Sequence, residues 1–302
     1  YSMICRRHAN ASGRTRGRRA RRVPIHRLGQ ALLGLRVCRG DQPSADHAIH
    51  ARRNACTHCV RRRAAGRAAY HSACNPDGVW VHNGWESSQY ERAGRARLTV
   101  PYWLASSAGN RLAELGELPG SERLVIRYDD EFGSGPHPLG KEPAVAIGRE
   151  RAYVGLADSF VVRVFALDGT PLGALRTADG DLRTTPADIA RFKRLDTLGQ
   201  PPTRRAQLVR EWDLVEFPTT VPAYDRLLVD ARDHLWVRRY PRGDAASVEW
   251  LVFAPDGAPV ARIDLPEALT VFEIGETYVA GVLIDPAFGG HTVRVYSLRR
   301  SR

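Results

Sequence analysis

The pattern of apolar and polar positions divides the chain near residue 75. From residue 76 onward, short apolar runs recur between turns rich in glycine, proline and aspartate, which predicts β-strands joined by hairpins. Residues 162–172 (VRVFALDGTPL) match residues 250–260 (WLVFAPDGAPV), a third copy of the strand begins at Val293, and a weaker fourth lies at residues 89–95. The Asp-Gly pair between two apolar runs predicts a type I′ hairpin in each long copy. Repetition of this kind is typical of a repeat architecture such as a propeller.

An aromatic–valine pair precedes each copy of the strand. The four pairs are Trp80-Val81, Tyr153-Val154, Trp236-Val237 and Tyr278-Val279. The last two are 42 residues apart, which is the length of one four-stranded blade. In the repeated strand, Val162 and Val164 point one way while Val161 and Phe165 point the other, so both faces are apolar. We therefore expect the aromatic side chains to pack between stacked blades.

These repeats predict an all-β fold, a β-propeller that is incomplete at its N-terminus. The predicted blades are residues 76–105, 110–143, 144–178, 221–266 and 268–300. The last blade shows only three strands, which are expected at residues 268–274, 278–285 and 291–298. Propellers commonly close by completing one blade with a strand from the other terminus, so the missing strand is expected within residues 1–75.

Residues 185–215 follow a helical period and interrupt the blades. Thr185 is a suitable N-cap, Pro186 fits the first helical position, and Asp188 is placed to complete the cap. The apolar positions that share a face are Ile189, Phe192 and Leu195 in the first helix and Leu208, Trp212 and Val215 in the second. We expect Ile189, Phe192, Leu208 and Trp212 to anchor this two-helix insertion on one end of the propeller. Roofing the central channel and filling the outer rim are the two alternatives.

Charge separates the two parts of the chain. The protein carries a formal net charge of +12, yet residues 1–75 alone hold 17 Arg, two acids and all five Cys, for a net +15. The remaining residues hold 28 bases and 31 acids, for a net −3. The basicity therefore belongs to one segment, and a nucleic-acid partner for the whole protein is not expected. No apolar run approaches the length of a membrane-spanning helix, so no membrane span is expected either.

Residues 1–75 show neither helical nor strand periodicity, and three interpretations are open. A zinc site would use Cys56, Cys59, His71 and Cys74, because thiolates and imidazole are the preferred ligands of zinc. The arginine tract 14–22 suits a basic arm on nucleic acid. Translation of GC-rich coding sequence in a shifted reading frame also gives a sequence rich in Arg, Ala, His and Cys. We favour a spurious or disordered segment, and expect it to be irregular and to hold no zinc.

Residues 76–300 resemble a bacterial family of six-bladed β-propeller proteins, related in style to NHL-repeat propellers. The matching segments are residues 114–122, 153–155, 227–230, 235–237, 240–241, 271–275 and 278–279. The resemblance implies a six-bladed fold and an extracytoplasmic location, either periplasmic or secreted. It supplies no activity, catalytic residue or cofactor. Tyr1 is not an initiator Met, so we expect a fragment or a processed product, and no signal peptide is visible.

The acids, histidines and glycines outside the repeats give weak signals. Asp129, Asp130 and Glu131 have the hard oxygen ligands that Ca²⁺ prefers, although consecutive acids on a loop are more often solvated. The histidines His137, His234 and His291 lie far apart in the sequence. Residues 133–140 are rich in glycine but lack the Lys-Ser/Thr of a phosphate-binding loop, so we expect a plain connector. The sequence thus assigns no catalytic residue, no cofactor and no metal.

Arg238, Arg239 and Tyr240 follow one of the aromatic–valine pairs. Arginine at a loop-rich mouth suits an anionic ligand, because its planar guanidinium matches carboxylate and phosphate groups. A solvated blade edge is the simpler interpretation, and it is the one that we expect.

Two classes of function remain after this search. The first is a non-catalytic binding or scaffold propeller, expected to be monomeric, which recognises a protein or a small molecule with its loops and its helical insertion. The second is a metal-dependent hydrolase or lyase of the lactonase-like six-bladed type, which needs convergent acids at the ends of the inner strands. The predicted inner strands, residues 144–147 and 227–230, contain only one acid, Asp230. This scarcity of acids favours binding.

Overall fold

The structure is a computed structural model that describes residues 69–84, 90–129, 131–178, 180–213, 215–284 and 291–299. In these ranges the strands form four antiparallel sheets, and within each sheet neighbouring strands follow the order of the chain. Two helices, α1 (Pro186–Thr197) and α2 (Pro202–Trp212), lie between the second and third sheets, as the sequence predicts. Among the described residues, neither helix is long and apolar enough to cross a membrane.

The sheets have five, four, four and three strands in chain order. The first contains β1 (Ala69–Cys74), β2 (Trp80–Gly84), β3 (Gly94–Ala105), β4 (Arg111–Tyr128) and β5 (Glu131–Pro136). The second contains β6 (Ala144–Ile147), β7 (Arg151–Gly155), β8 (Val161–Ala166) and β9 (Pro171–Arg176). The third contains β10 (Tyr224–Val229), β11 (Leu235–Arg239), β12 (Ser247–Phe253) and β13 (Pro259–Pro266). The fourth contains β14 (Leu269–Ile274), β15 (Tyr278–Ile284) and β16 (His291–Ser297).

The last three sheets fall where the repeats predict them, including the three-stranded sheet at the end. The first sheet differs, because it unites the two predicted blades 76–105 and 110–143. The reason is that β3 and β4 stay paired from Gly94 opposite Val125 to Ala105 opposite Arg111, which makes one long hairpin. The sheet also begins earlier than predicted, since β1 lies within the segment that we expected to be irregular. Residues 1–68 lie outside the described residues.

The sheets are stacked face to face in chain order. Their first strands β1, β6, β10 and β14 contact one another in that sequence, so each sheet meets the next along its inner edge. A separate cluster of buried apolar side chains fills each of the three junctions between neighbouring sheets. This arrangement is propeller-like, because a propeller also repeats up-and-down sheets with their first strands innermost.

Strands that are apolar on both faces supply these junctions, as predicted. Val162 and Val164 of β8 pack against the third sheet, whereas Phe165 packs against the first. Tyr153 and Trp236 also lie in the junctions, with exposed fractions of 3% and 1%, which confirms their predicted packing between sheets. For Trp80 and Tyr278 the prediction is wrong, because both are only partly buried and belong to none of the three clusters. Burial of this kind contributes about 25 cal/mol per Å² of apolar surface, so these junctions are the main source of stability.

The Asp-Gly hairpins are not of the predicted type I′. Type I′ needs positive φ at both central residues, but only Gly169 of its pair has a positive φ, of 90°. The carboxylate of Asp168 accepts a hydrogen bond from the Thr170 N–H at 2.9 Å, and Ala166 pairs with Thr170 across the turn. The result is a three-residue turn with glycine in the left-handed position, and Asp256-Gly257 repeats it.

Hydrogen bonds join consecutive sheets at one end, which we call the turn end because it carries the turns between the first and second strands. The Asn75 side chain donates to the Gly148 carbonyl at 2.9 Å, linking the first turn to the second. The backbone N–H of Arg149 donates to Asp233 at 3.2 Å, and that of Ala231 donates to Ile274 at 3.0 Å. Each turn is thus bonded to the next one.

Candidate functional site

The opposite end of the sheets, the helix end, carries the helical insertion. The Thr185 hydroxyl accepts a hydrogen bond from the Asp188 backbone N–H at 3.3 Å, and the Asp188 carboxylate accepts one from the Thr185 N–H at 2.9 Å. This is the capping box that the sequence predicts, with Pro186 in the first turn of α1. It places a buried carboxylate at the start of α1, beside the loop 240–246 of the third sheet.

Three ion pairs that the sequence did not predict connect α1 to the sheets. The three pairs are Asp188–Arg242, Arg191–Glu267 and Arg194–Asp244. Their α1 members are spaced by three residues, so they lie along one side of the helix. Their partners come from the loop between β11 and β12 and from the link between the third and fourth sheets. A polar stripe therefore docks α1.

Two of the predicted apolar anchors, Phe192 and Trp212, pack against each other. The Phe192 ring meets Trp212 edge-on with centroids 6.5 Å apart, and it meets Phe217 in the same way at 6.0 Å. The indole N–H of Trp212 donates to Asp196 at 3.1 Å, which ties α2 to α1. Leu208 and Trp212 are buried as expected. They form a small aromatic core that stabilises the helix pair itself.

A cavity of about 160 Å³ lies between α1 and the loops beneath it, and we call it the roofed cavity. Its apolar wall consists of Leu139, Phe192, Leu195 and Pro241. Its polar wall consists of Asp188, Arg191, Asp196 and Tyr240. Because Leu139 precedes the second sheet while Tyr240 belongs to the third, α1 spans more than one sheet at this end.

Asp188 is fully occupied by intramolecular partners. Its carboxylate accepts five hydrogen bonds, which come from the backbone and hydroxyl of Thr185, two guanidinium nitrogens of Arg242 and the Gly243 N–H. Burial by itself raises the pKa of Asp188, but the bonds from Arg242 and Thr185 outweigh it and hold that pKa well below its ordinary value. This carboxylate is therefore a structural anion and not a ligand-binding group.

Arg191 and Tyr240 retain hydrogen-bonding capacity. Arg191 donates through Nη2 to Glu267, and its Nε and Nη1 donate to no other described residue. The Tyr240 hydroxyl likewise makes no hydrogen bond within the described part of the chain. Burial, followed by the nearby charge of Asp225, raises the pKa of Tyr240 to about 12, so the phenol is a neutral donor at physiological pH. Both groups line the roofed cavity.

A cluster of charged side chains adjoins the roofed cavity, and we call it the arginine cluster. It consists of Arg191, Arg226, Arg238, Asp225 and Glu267, which carry a net charge of +1 when all are ionised. Arg238 donates to the Asp225 carboxylate at 3.1 Å and to the Glu267 carbonyl at 3.0 Å. Desolvation by the surrounding protein raises the pKa of Asp225 to about 6, although the three arginines oppose this shift and 28% of the side chain remains exposed.

The expectation that Arg238 and Arg239 form a solvated blade edge is wrong. Only 13% of the Arg238 side chain is exposed, since Asp225 and the Glu267 backbone enclose it. Arg239 points to the other face of the strand, where it pairs with Glu249 at 2.7 Å and lies 5.0 Å from the centre of the Phe160 ring. Consecutive residues of a strand alternate between faces, so only Arg238 belongs to the arginine cluster.

Sequence reasoning missed Asp225, Arg191 and Glu267. The inner strand was predicted to begin at Leu227, whereas β10 begins at Tyr224 and so includes Asp225. The signal was present in the Tyr-Asp pair before the apolar run. Arg191 and Glu267 are 76 residues apart, and no local pattern connects a helix with a link that far along the chain.

The histidine and acidic candidates are not brought together. His137 lies in the link after β5 with its Nδ1 2.9 Å from the Pro138 carbonyl, His234 lies at the turn end, and His291 begins β16. Asp129 and Glu131 are exposed in the hairpin between β4 and β5, and Asp130 lies outside the described residues. The predicted connector 133–140 is partly a strand, because β5 extends to Pro136.

The residues at the inner strand ends do not fit a lactonase-like metal site. Asp230 accepts hydrogen bonds from the backbone of Arg232 and His234 and from the indole of Trp236, so it closes a turn at the turn end. In the described ranges, no group of three or more His, Cys, Asp or Glu side chains is arranged to hold a metal ion. Of the four candidate zinc ligands, Cys56, Cys59 and the side chain of His71 lie outside the described residues, and Cys74 is disulfide-bonded.

Comparisons with known proteins give distant structural similarities only. No family model and no curated sequence matches the chain. Regucalcin from Agrobacterium tumefaciens, a calcium-binding protein, is similar at 12% identity with a TM-score of 0.34, over 78% of this chain and 63% of that protein. A luciferin-regenerating enzyme is similar at 8% identity with a TM-score of 0.35, over 78% and 62% of the two chains. The chain thus spans less than two thirds of the length of these structures.

Proposed function

We propose that this protein is a non-catalytic binding protein whose ligand site is the roofed cavity. The observation that carries the proposal is the position of Arg191 and Tyr240, which line a cavity of about 160 Å³ with uncommitted hydrogen-bonding groups. A partly apolar cavity with a few convergent polar groups is the usual form of a small-molecule site. Irregular additions to a rigid scaffold are also where recognition surfaces commonly lie, and α1 is such an addition.

The lining of the roofed cavity favours binding over catalysis. Covalent catalysis needs an activated nucleophile within reach of a base. The lining holds no Ser, Thr, Cys, Lys or His, and its carboxylate Asp196 accepts the Trp212 indole N–H. Asp188 is occupied by five hydrogen bonds, so it is poorly placed to act as a general base. The metal-dependent hydrolase alternative gains no support from the described acids.

The proposed scaffold is a six-bladed propeller of which the described sheets are four consecutive blades. Support comes from the contacts of the first strands in chain order and from the apolar junction between each neighbouring pair of sheets. The proposed location is extracytoplasmic, and it rests on the family resemblance alone. In this scheme the helix pair roofs the loops of the second and third blades and does not fill the outer rim.

Filling the roofed cavity tests the proposal. Leu195 lines the cavity and is 44% exposed, so the indole of Leu195→Trp should cover part of the cavity. Leu198→Trp is the matched control, because Leu198 caps the same helix, is 51% exposed and does not line the cavity. Ligand-observed NMR with a set of benzene-sized neutral, anionic and cationic compounds is the measurement. We expect the compounds that bind the wild type to lose their binding to Leu195→Trp and to keep it for Leu198→Trp.

Two results would contradict this proposed function. The first is that no compound of the set binds the wild type at millimolar concentration. The second is that both tryptophan variants retain the same binding, which would place the site elsewhere. The melting temperature of each variant is measured in parallel, since a fall confined to Leu195→Trp would signal damage to the helix pair instead of a filled site.

A further inference from the structure

The roofed cavity is half-open, and its volume indicates the size of the apolar group that it can cover. A cavity of about 150 Å³ lined by apolar side chains is large enough to hold benzene. The roofed cavity has a similar volume, about 160 Å³, and its apolar wall includes the Phe192 ring. The ligand body that fits is therefore one six-membered ring or a branched chain of comparable volume.

The polar wall indicates the charge of the ligand. Arg191 uses one of its five N–H donors on Glu267, and its Nε and Nη1 have no partner in the described ranges. A guanidinium forms its strongest hydrogen bonds with planar anions such as carboxylates. The Tyr240 hydroxyl adds a second donor, which is neutral because its pKa is raised to about 12. Two donors that converge on one cavity favour an acceptor group on the ligand.

The charged groups around the cavity sum to zero when all are ionised, but they are unevenly placed. The arginine cluster carries a net +1, and Asp188 is balanced by Arg242. Asp196 is the acid that opposes this preference, but it accepts the indole N–H of Trp212, and the ammonium of Lys193 lies 5.4 Å from the same ring. The positive charge is therefore at the end of the cavity near Arg191.

We infer that the roofed cavity binds a small monocarboxylate with an aromatic or branched apolar body. The carboxylate pairs with Arg191 and the Tyr240 hydroxyl, and the body packs on Phe192, Leu139 and Leu195. This inference rests on the proposed function and deepens it, since it names the class of ligand.

Isothermal titration calorimetry with benzoate tests the inference. Benzyl alcohol and benzylamine are the neutral and cationic probes of equal size. We expect benzoate to bind the wild type more tightly than either probe. Arg191→Gln should weaken benzoate binding about 10- to 100-fold, because hydrogen bonds to a charged partner contribute about 1.5–3 kcal/mol. Tyr240→Phe, which keeps every ion pair, should weaken it less, by about 3- to 10-fold.

Arg194→Gln is the matched control for damage to the docked helix. Arg194 also pairs α1 with a loop of the third sheet, but it does not line the cavity. Its loss should leave benzoate affinity within about twofold. Equal weakening by Arg191→Gln and Arg194→Gln would overturn the inference, as would tighter binding of benzylamine or no binding of benzoate. If benzyl alcohol binds equally well and Leu195→Trp blocks it, the proposed cavity stands and only the carboxylate class fails.

Discussion

The two ends of the sheets are built from different interactions. At the turn end, Asn75, Asp230 and Asp233 accept or donate hydrogen bonds with backbone groups of their own or neighbouring turns. At the helix end, long charged side chains such as Arg191 and Arg242 connect separate segments. The turn end is thus fixed by backbone groups that the hairpins already hold in place, whereas the helix end depends on side chains that must be ordered to meet.

This difference assigns global stability to the turn end and binding to the helix end. A hydrogen bond to a preformed turn costs little conformational entropy, but ordering a long arginine costs up to about 2 kcal/mol. We therefore expect the helix end to open at lower free energy than the sheets, as binding regions commonly do. The candidate site lies at the helix end, where polar side chains retain hydrogen-bonding groups without a described partner. We expect substitutions at the turn end to change global unfolding and those at the helix end to change local opening or binding.

The largest expected effect is at the turn end, for Asp230→Ala. The Asp230 carboxylate is fully buried and accepts bonds from two backbone N–H groups and the Trp236 indole. Its loss leaves three donors without this acceptor, and we expect the free energy of unfolding to fall by about 3 kcal/mol. Urea denaturation followed by tryptophan fluorescence measures this change.

Asp256→Ala is the matched control for Asp230→Ala. Asp256 makes the same kind of turn contact, to the Ala258 N–H at 2.9 Å, but in an exposed hairpin. We expect a loss of about 0.5–1 kcal/mol, because water replaces the lost acceptor. Equal losses for the two variants would mean that the turn end is not the more stable region.

The repeated hairpins could be predicted from sequence because their signals are local. The three strands of the last sheet and the first turn of α1 depend on residues within a few positions of one another. The union of the two first blades was missed because the predicted boundary at residues 105–110 is the turn of the hairpin that joins β3 to β4. The two strands stay paired along their length, so this turn lies within one sheet and not between two.

The candidate site could be predicted only in part. The sequence indicates two helices with apolar faces, and it singles out Arg238 and Tyr240. It gives no indication that Arg191, Glu267 and Asp225 meet, because ion pairs between distant segments leave no periodic pattern. The type of the Asp-Gly turn was likewise misjudged, since the Asp168 side chain stabilises a three-residue turn that the dipeptide alone does not specify.

A smaller effect, confined to the helix end, is expected for Asp188→Ala. The change removes the capping box and the ion pair with Arg242 while the four sheets keep all their junctions. We expect backbone amides of α1 to exchange hydrogen at least about tenfold faster, since a cap alone contributes about 1 kcal/mol. Hydrogen exchange followed by mass spectrometry measures this, with peptides of β8 and β12 as internal references.

Asp181→Ala is the control for Asp188→Ala. Asp181 pairs with Arg183 at the exposed surface of the same segment, and the contact of its backbone carbonyl with Arg242 survives the change. Exchange in α1 should then remain as in the wild type. If Asp188→Ala accelerates exchange in the sheets as much as in α1, the helix end does not open separately.

The smallest expected effect is a pH dependence of the stability, caused by Asp225 at the helix end. Burial raises the pKa of Asp225 to about 6, with Arg191, Arg226, Arg238 and Tyr240 as its charged or titratable neighbours. An acid with a raised pKa in the folded state binds its proton more tightly there than in the unfolded chain, where the pKa is about 3.9. Its contribution to stability is therefore greatest below pH 4 and is lost as the pH rises through 6.

Asp225→Asn removes this titration while preserving the shape of the side chain. We expect the melting temperature of the wild type, relative to that of Asp225→Asn, to fall as the pH is raised from 5 to 7. Asp188 does not contribute in this range, because its pKa is lowered and its stabilisation is lost only as the pH falls below its ordinary value. A carboxyl-directed NMR titration gives the pKa of Asp225 directly. A value near 4, or melting temperatures that run parallel with pH, would show that Asp225 is as well solvated as an ordinary surface acid.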